Sequence, residues 1–340
     1  MSSTRLRKVT VVVAKTLIAL SLAAGARAED PWLVFEGGDG PGSGKHVVLV
    51  SGDEEYRSEE ALPLLARILA ERHGFRCTVL FAIDPDGTIN PENQGNIPGL
   101  DALDEADVMV LFTRFRELPD EQMRHIVRFV DSGKPILGMR TATHAFAYRQ
   151  NPASPYAHYS FDSEQWPGGF GRQVLGDTWV NHHGQHKVES TRGVIDTENS
   201  DHPILRGVED IWGPTDVYGL AHLPEDADVL VYGQVLTGMQ PTDPAVGGPK
   251  NEPMVPVVWT RHYRSKSGNV SRILTTTMGA SIDLESEGLR RILVNGVYWA
   301  VGLEEAIPAK SDVSIVGEYA PSFYGFGDFK KGRRPSDYGY

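Results

Sequence analysis

Cysteine occurs once in the 340 residues, at Cys77, which excludes an intramolecular disulfide, a CxxC redox pair and a cysteine-based structural zinc site. Basic residues are outnumbered by acidic ones, 33 Lys and Arg against 45 Asp and Glu, for a formal net charge of −12. No basic stretch follows a fold-like pattern, so no nucleic-acid partner is expected and a neutral or weakly charged substrate fits better. A phosphate-binding loop is lacking too: glycines at 37, 38, 40, 42 and 44 precede Lys45, but Asp39 and His46 stand where that loop needs Gly and Ser or Thr. Residues 29–45 therefore read as a flexible leader. No serine sits in a GxSxG elbow. Past residue 28 no apolar run is long enough to cross a membrane.

Residues 1–28 have the form of a secretory signal: Arg5, Arg7 and Lys8, an apolar stretch from Leu17 to Ala24, and Ala26-Arg27-Ala28 as the cleavage site. Lys15 interrupts the run that a membrane anchor would need. Cleavage after Ala28 removes five basic residues and no acidic one, leaving 28 against 45 and a net charge of −17. The expected product is acidic and exported, periplasmic or extracellular, with no membrane attachment after cleavage.

What is abundant is alternation. Short β-rich runs at His46 to Ser51, Cys77 to Ile83, Val108 to Thr113 and Pro135 to Met139 are separated by helical patterns. Leu62, Leu65 and Leu69 mark one helix, ended by Gly74; Met123, Ile126, Val127 and Val130 mark another, ended by Gly133. Later strands are expected at Val229 to Tyr232, Val255 to Thr260 and Arg272 to Thr277, and a closing helix carries Leu289, Ile292, Leu293 and Val297 on one face. This order predicts an α/β fold, a flavodoxin-like doubly wound, mainly parallel sheet with helices on both faces. The alternation lapses over 146–186, where eight aromatics fall in 41 positions against 9% for the whole chain. That richness argues for an ordered insertion rather than a disordered one. One domain over 46–303, followed by a tail 304–340 without clear period, is the expected organisation.

Open parallel sheets bind ligands beyond the carboxyl ends of their strands. There the sequence offers Asp53, Glu54, Glu55 and Tyr56 after the first strand, Arg114 and Arg116 after the third, and Arg140 and His144 after the fourth. Asp53 or Glu54 serves either as a helix cap or as an acid-base group. Arg114 serves as an ion-pair partner or a substrate contact; Glu55 reads as solvated and Arg116 as surface. His144 is either a core histidine or the acid-base partner. A second cluster, Asn181-His182-His183-Gly184-Gln185-His186, puts His182 and His186 on one face in helix or strand alike. With no third ligand nearby, no metal or other cofactor is expected, and sugar contacts by His182 and His183 are preferred.

The segment Gly138-Met139-Arg140-Thr141-Ala142-Thr143-His144 resembles the elbow of the class I glutamine amidotransferase-like superfamily. Asp201-His202-Pro203-Ile204, Thr215-Asp216-Val217-Tyr218, Pro256-Val257-Val258-Trp259-Thr260-Arg261, Thr275-Thr276-Thr277-Met278-Gly279 and the stretch from Arg290 to Trp299 resemble its trehalose-utilisation, or ThuA-like, branch. The resemblance spans roughly residues 45 to 303. It implies a flavodoxin-like sheet and a role in carbohydrate metabolism, with 3-keto sugars among the implied substrates. It also exposes two departures. Arg140 stands where amidotransferases carry the nucleophilic cysteine and the ThuA-like branch more often has His, and Ala280 stands where His is expected. An arginine cannot attack a carbonyl, so glutamine amidotransfer is excluded; it is expected instead to hold an oxyanion or hydroxyl.

The reading that follows is an exported protein acting on a small-molecule carbohydrate, a glycoside- or 3-keto-sugar-processing hydrolase or lyase. Asp53, Glu54, Asp216 and His144 are its acid-base candidates, Arg140 and Arg114 its charge stabilisers. Tyr56, Trp166, Trp179 and Trp259 are its sugar-stacking candidates, or else core residues. The alternative is a non-catalytic sugar-binding or scaffolding relative with the same pocket.

Overall fold

The computed structural model describes residues 30–339; the signal expected over 1–28 lies outside them. Its frame is a ten-stranded sheet. The strands are β1 (Trp32–Phe35), β2 (His46–Gly52), β3 (Arg76–Leu80), β4 (Val108–Thr113), β5 (Ile136–Met139), β7 (Thr191–Ile195), β8 (Trp212–Gly213), β10 (Ala227–Val235), β11 (Val255–Arg264) and β12 (Val270–Thr276). Their order is β1-β3-β2-β4-β5-β12-β11-β10-β7-β8, while β6 (Trp179–His182) and β9 (Tyr218–Leu220) form a separate antiparallel pair. The stretch β3-β2-β4-β5-β12 is parallel throughout, the flavodoxin-like half anticipated from the alternation. From β12 onward the sheet continues antiparallel.

Both faces of the parallel half are buried, which is why its strands read as continuous apolar runs. Along β2, Val47 and Leu49 join a core with the helices α1 (Ser58–His73) and α3 (Glu287–Ala300), whereas Val48 and Val50 join one with α2 (Asp120–Ser132). The two-residue period of a strand thus sorts neighbouring side chains to opposite layers. Each of α1 and α2 stops at a left-handed glycine, Gly74 at φ 79° and Gly133 at φ 81°.

Of the expected leader 29–45, the described residues 30–45 are not loose. Strand β1 pairs antiparallel with β3, and Gly42 N donates to His73 O at 2.8 Å. A Cβ on Gly37 would lie 2.1 Å from Gly74 O, so that glycine permits close backbone approach rather than flexibility. Within the aromatic insertion, Phe146, Tyr148, Tyr159 and Phe170 are buried against α2 and its neighbours. The tail runs without regular strands over the α1–α3 face and buries Ile307, Val313, Tyr324 and Phe329. Among the described residues no helix is long and apolar enough to cross a membrane.

Candidate functional site at the carboxyl edge of the sheet

The segments after β2, β4 and β5 converge. Glu54 bridges the first two, accepting from Arg114 Nη1 and, at 2.8 Å, from Arg116 Nη2. Asp53 ties the first to the third: its carboxylate accepts from the Thr141 hydroxyl and from the backbone N–H groups of Glu55 at 2.7 Å and Tyr56 at 2.5 Å. Phe115 N donates to His144 O at 3.0 Å. Backbone strain gathers here as well. Of the five non-glycine residues with positive φ among the described residues, Arg57, Phe115, Arg140 and Lys187 lie in these segments or next to His186. Such strain costs roughly 1–3 kcal/mol per residue and is typical of functional edges.

Arg140, at φ 44°, occupies the elbow after β5 and is fully buried. Its guanidinium carbon lies 4.3 Å from the Tyr56 ring centroid and 3.8 Å from that of Tyr218, a cation held between two aromatic faces. Nη1 donates to the carbonyls of Asp216 at 2.8 Å and Thr277 at 2.6 Å, and Nη2 lies 3.3 Å from Asp216 Oδ1. Nε has no partner, but with both terminal nitrogens engaged by the protein and no solvent exposure, Arg140 does not reach an oxyanion; it holds Asp216.

Asp216 is the centre of the arrangement. Strands β6 and β9 pair His182 with Tyr218, which brings the histidine segment beside Asp216. His182 Nδ1 lies 2.7 Å from Asp216 Oδ2, and His186 Nδ1 lies 2.9 Å from Oδ1. Burial alone would raise this carboxyl, but the hydrogen bonds from both imidazoles and the Arg140 charge hold it well below the usual carboxylate range. Behind it, Asp283 fixes Thr215, accepting from its hydroxyl at 2.7 Å and its N–H at 3.2 Å. On the other side, His186 Nε2 faces Glu55 Oε1 at 3.3 Å. Glu55 is buried rather than solvated; burial, and next the Asp53 charge, push its carboxyl up against the pull of Arg114 and His186.

The family model for ThuA, trehalose utilisation, matches residues 46–300. This chain belongs to the ThuA family. None of the curated proteins matches it. A ThuA-like protein from Parabacteroides merdae, 14% identical, covers 83% of this chain and 97% of its own with a TM-score of 0.50, which shows a shared fold. A second, from Bacteroides uniformis, is 15% identical over 77% of this chain and 93% of its own, with a TM-score of 0.48.

In this ThuA-family chain the edge gathers most of the anticipated residues, in altered roles. Asp53 is structural but does not cap α1, whose N-cap is Arg57; its carboxylate holds the preceding turn and Thr141, and Glu54 is committed to Arg114 and to Arg116, which is buried rather than on the surface. His144 sits among Phe115, Phe161, Trp179 and Tyr218 at centroid distances of 5.1 to 6.4 Å, the nearest being Phe115. Burial, then the Arg114 and Arg140 charges, hold its pKa well below the ordinary histidine value, so it is a neutral core imidazole. Tyr56 is buried beneath Arg140. Trp179 borders His182, with ring centroids 5.8 Å apart.

Three residues lie elsewhere. Trp166 packs at a tilt against Tyr159 and His158 in the insertion. Trp259 is fully buried and donates to Leu175 O at 2.7 Å. His183 lies 2.8 Å from Lys250 O through Nε2, clipping a loop instead of facing the edge. Conversely, the tail supplies an unanticipated member: Tyr324 stacks on Tyr56 at 5.3 Å and meets His186 at 5.2 Å. Glu55 carried the signal of its two acidic neighbours; Tyr324 carried none.

The expectation of no metal rested on a missing third ligand. Asp216 supplies one: donor atoms of His182, His186 and Asp216 all lie within 4.8 Å of one another.

Proposed function

We propose that this ThuA-family protein is exported and acts on a carbohydrate, as a hydrolase or lyase of glycosides or their 3-keto forms. The observation that carries the reading is Glu55, a buried carboxyl with a raised pKa, 3.3 Å from an imidazole that a second carboxylate orients. A carboxyl so tuned holds a proton more strongly than a solvated one, which suits proton transfer. Beside a keto group, Glu55 takes the proton from the adjacent carbon. The exposed His182 and half-buried His186 face the oxygen on which the enolate charge develops. Departure of the substituent one carbon further on, with a proton returned to its oxygen, completes an elimination. Trp179, beside His182, offers an apolar face for a sugar ring. The family's description as trehalose utilisation supports the substrate class.

A second reading, a non-catalytic sugar binder, is favoured by one observation: the elbow carries Arg140, fully buried and with both terminal nitrogens engaged by the protein. Incubating the full chain with disaccharides and their 3-keto forms, with product analysis and calorimetry, separates the two. Turnover that falls about 100-fold or more in Glu55→Gln at unchanged affinity supports the enzyme. Binding without product supports the binder, and failure to bind any sugar sinks both.

A further inference from the structure

We propose that His182, His186 and Asp216 form a binding site for a first-row divalent cation, with Glu55 facing the other ring nitrogen of His186. The proposal deepens the functional reading of this edge and rests on it for the role of the ion, though not for its presence.

Two imidazoles and one carboxylate are a donor set for zinc, manganese or ferrous iron, and leave coordination positions open for substrate oxygens. The three come from two segments that β6 and β9 pin together, so the set is assembled by the fold rather than by a local motif. His182 and His186 are stacked at a tilt with ring centroids 4.8 Å apart, and both Nδ1 atoms point at the same carboxylate, at 2.7 and 2.9 Å. Donors around a tetrahedral ion with bonds of about 2.0–2.2 Å are separated by roughly 3.4 Å. A small opening of the triad therefore admits a cation in place of the two shared protons.

The surroundings are those of a ligand set held in place. Arg140 Nη2 and the Thr215–Asp283 contact fix Asp216 from the buried side. His186 presents its other nitrogen to Glu55 Oε1 at 3.3 Å, the carboxylate–imidazole arrangement that orients metal-bound histidines and raises their basicity. Asp216 is fully buried while His182 and His186 keep 35% and 27% of their side-chain surface in solvent, so an ion has a way in from the outside. A cation here faces the same space as the keto oxygen in the proposed reaction and supplies the positive charge that Arg140, fully buried, does not.

The test is a metal count that does not depend on turnover. The full chain is stripped with chelator, reloaded with Zn²⁺ or Co²⁺, passed through gel filtration and assayed by elemental analysis, with the visible spectrum of the cobalt form as a second readout. About one equivalent per chain is expected, weakened at least about tenfold in His182→Ala and in His186→Ala, with loss of the cobalt bands. Both histidines are partly exposed, and circular dichroism checks that the variants keep the fold. Wild type that retains no more metal than the folded double variant overturns the proposal. Sugar binding is titrated separately on stripped and loaded protein, so that failure of the carbohydrate reading and failure of the metal site give different results.

Discussion

Arg140 and Asp216 meet with no solvent between them: one guanidinium nitrogen donates to the Asp216 carbonyl at 2.8 Å while the other lies 3.3 Å from its carboxylate, and both side chains are fully buried. Removing one partner of such a pair leaves the other charge without its counterion. Arg140→Met is therefore expected to destabilise the fold by about 3–5 kcal/mol. Arg140→Lys is expected to recover only part of this, because an ammonium neither spans both carbonyls nor fills the slot between Tyr56 and Tyr218. Urea unfolding of the three proteins measures it; a loss under about 1 kcal/mol in Arg140→Met contradicts the structural role.

The parallel half of the sheet was legible because burial on both faces leaves an unbroken apolar signature, as in Val108 to Thr113, and because Gly74 and Gly133 stop their helices as C-terminal glycines do. The antiparallel extension and strand β1 were harder to read: Trp32–Phe35 is four residues long and stable only by pairing with β3, a contact of long sequence separation. Glycines 37 to 44 look the same in a sequence whether they loosen a chain or let two backbones touch.

At the site, residue type and position after a strand picked out Glu54, Arg114, Arg140 and His144, and all four lie at the predicted edge. Their roles were not legible, since a role depends on partners. An arginine at a strand end suggests an oxyanion holder, but the terminal nitrogens of Arg140 are bonded to Asp216 and Thr277. The missing third ligand lay 30 residues from His186, across a strand pairing no local motif encodes.

The neutral His144 has a pH consequence. In the unfolded chain an imidazole takes up a proton near 6.5; the folded chain, where burial and two arginines hold the pKa well below that value, does not. The unfolded state then binds more protons, and stability falls as pH drops below about 6.5, by about 1.4 kcal/mol per unit until the folded group titrates. Urea unfolding between pH 7 and pH 5 is expected to show a shallower acid loss in His144→Phe than in wild type. Equal slopes would mean that His144 is protonated in the folded protein.

Glu59 acts in the opposite direction. Near the start of α1 it is fully enclosed, neither carboxyl oxygen has a hydrogen-bond partner, and burial pushes its pKa up to about 8 from 4.5. Between these values the folded state holds a proton that the unfolded state has lost, so rising pH drains stability across the window. Glu59→Gln removes the titration while keeping the shape. Its stability is expected to vary less between pH 5 and pH 9 than that of wild type, as read from urea midpoints at constant salt; a parallel dependence in both proteins would contradict the raised pKa.

The tail closes the site through one residue. Tyr324 stacks on Tyr56 at 5.3 Å, contacts His186 at 5.2 Å and donates its hydroxyl to Pro214 O at 3.1 Å, while Gly325 N donates to Glu55 O at 2.8 Å. Deleting the ring opens a cavity beside both His186 and Tyr56, so Tyr324→Ala is expected to cost about 3 kcal/mol or more. Tyr324→Phe, which loses only the hydroxyl bond, should cost about 1 kcal/mol. Released from Tyr324, the tail also uncovers His186. Modification of that imidazole by diethyl pyrocarbonate, followed by peptide mass mapping in native conditions, should then run faster in Tyr324→Ala than in Tyr324→Phe or wild type. Equal rates in all three would show that the tail does not cover the histidine pair, and that its packing serves the α1–α3 face alone.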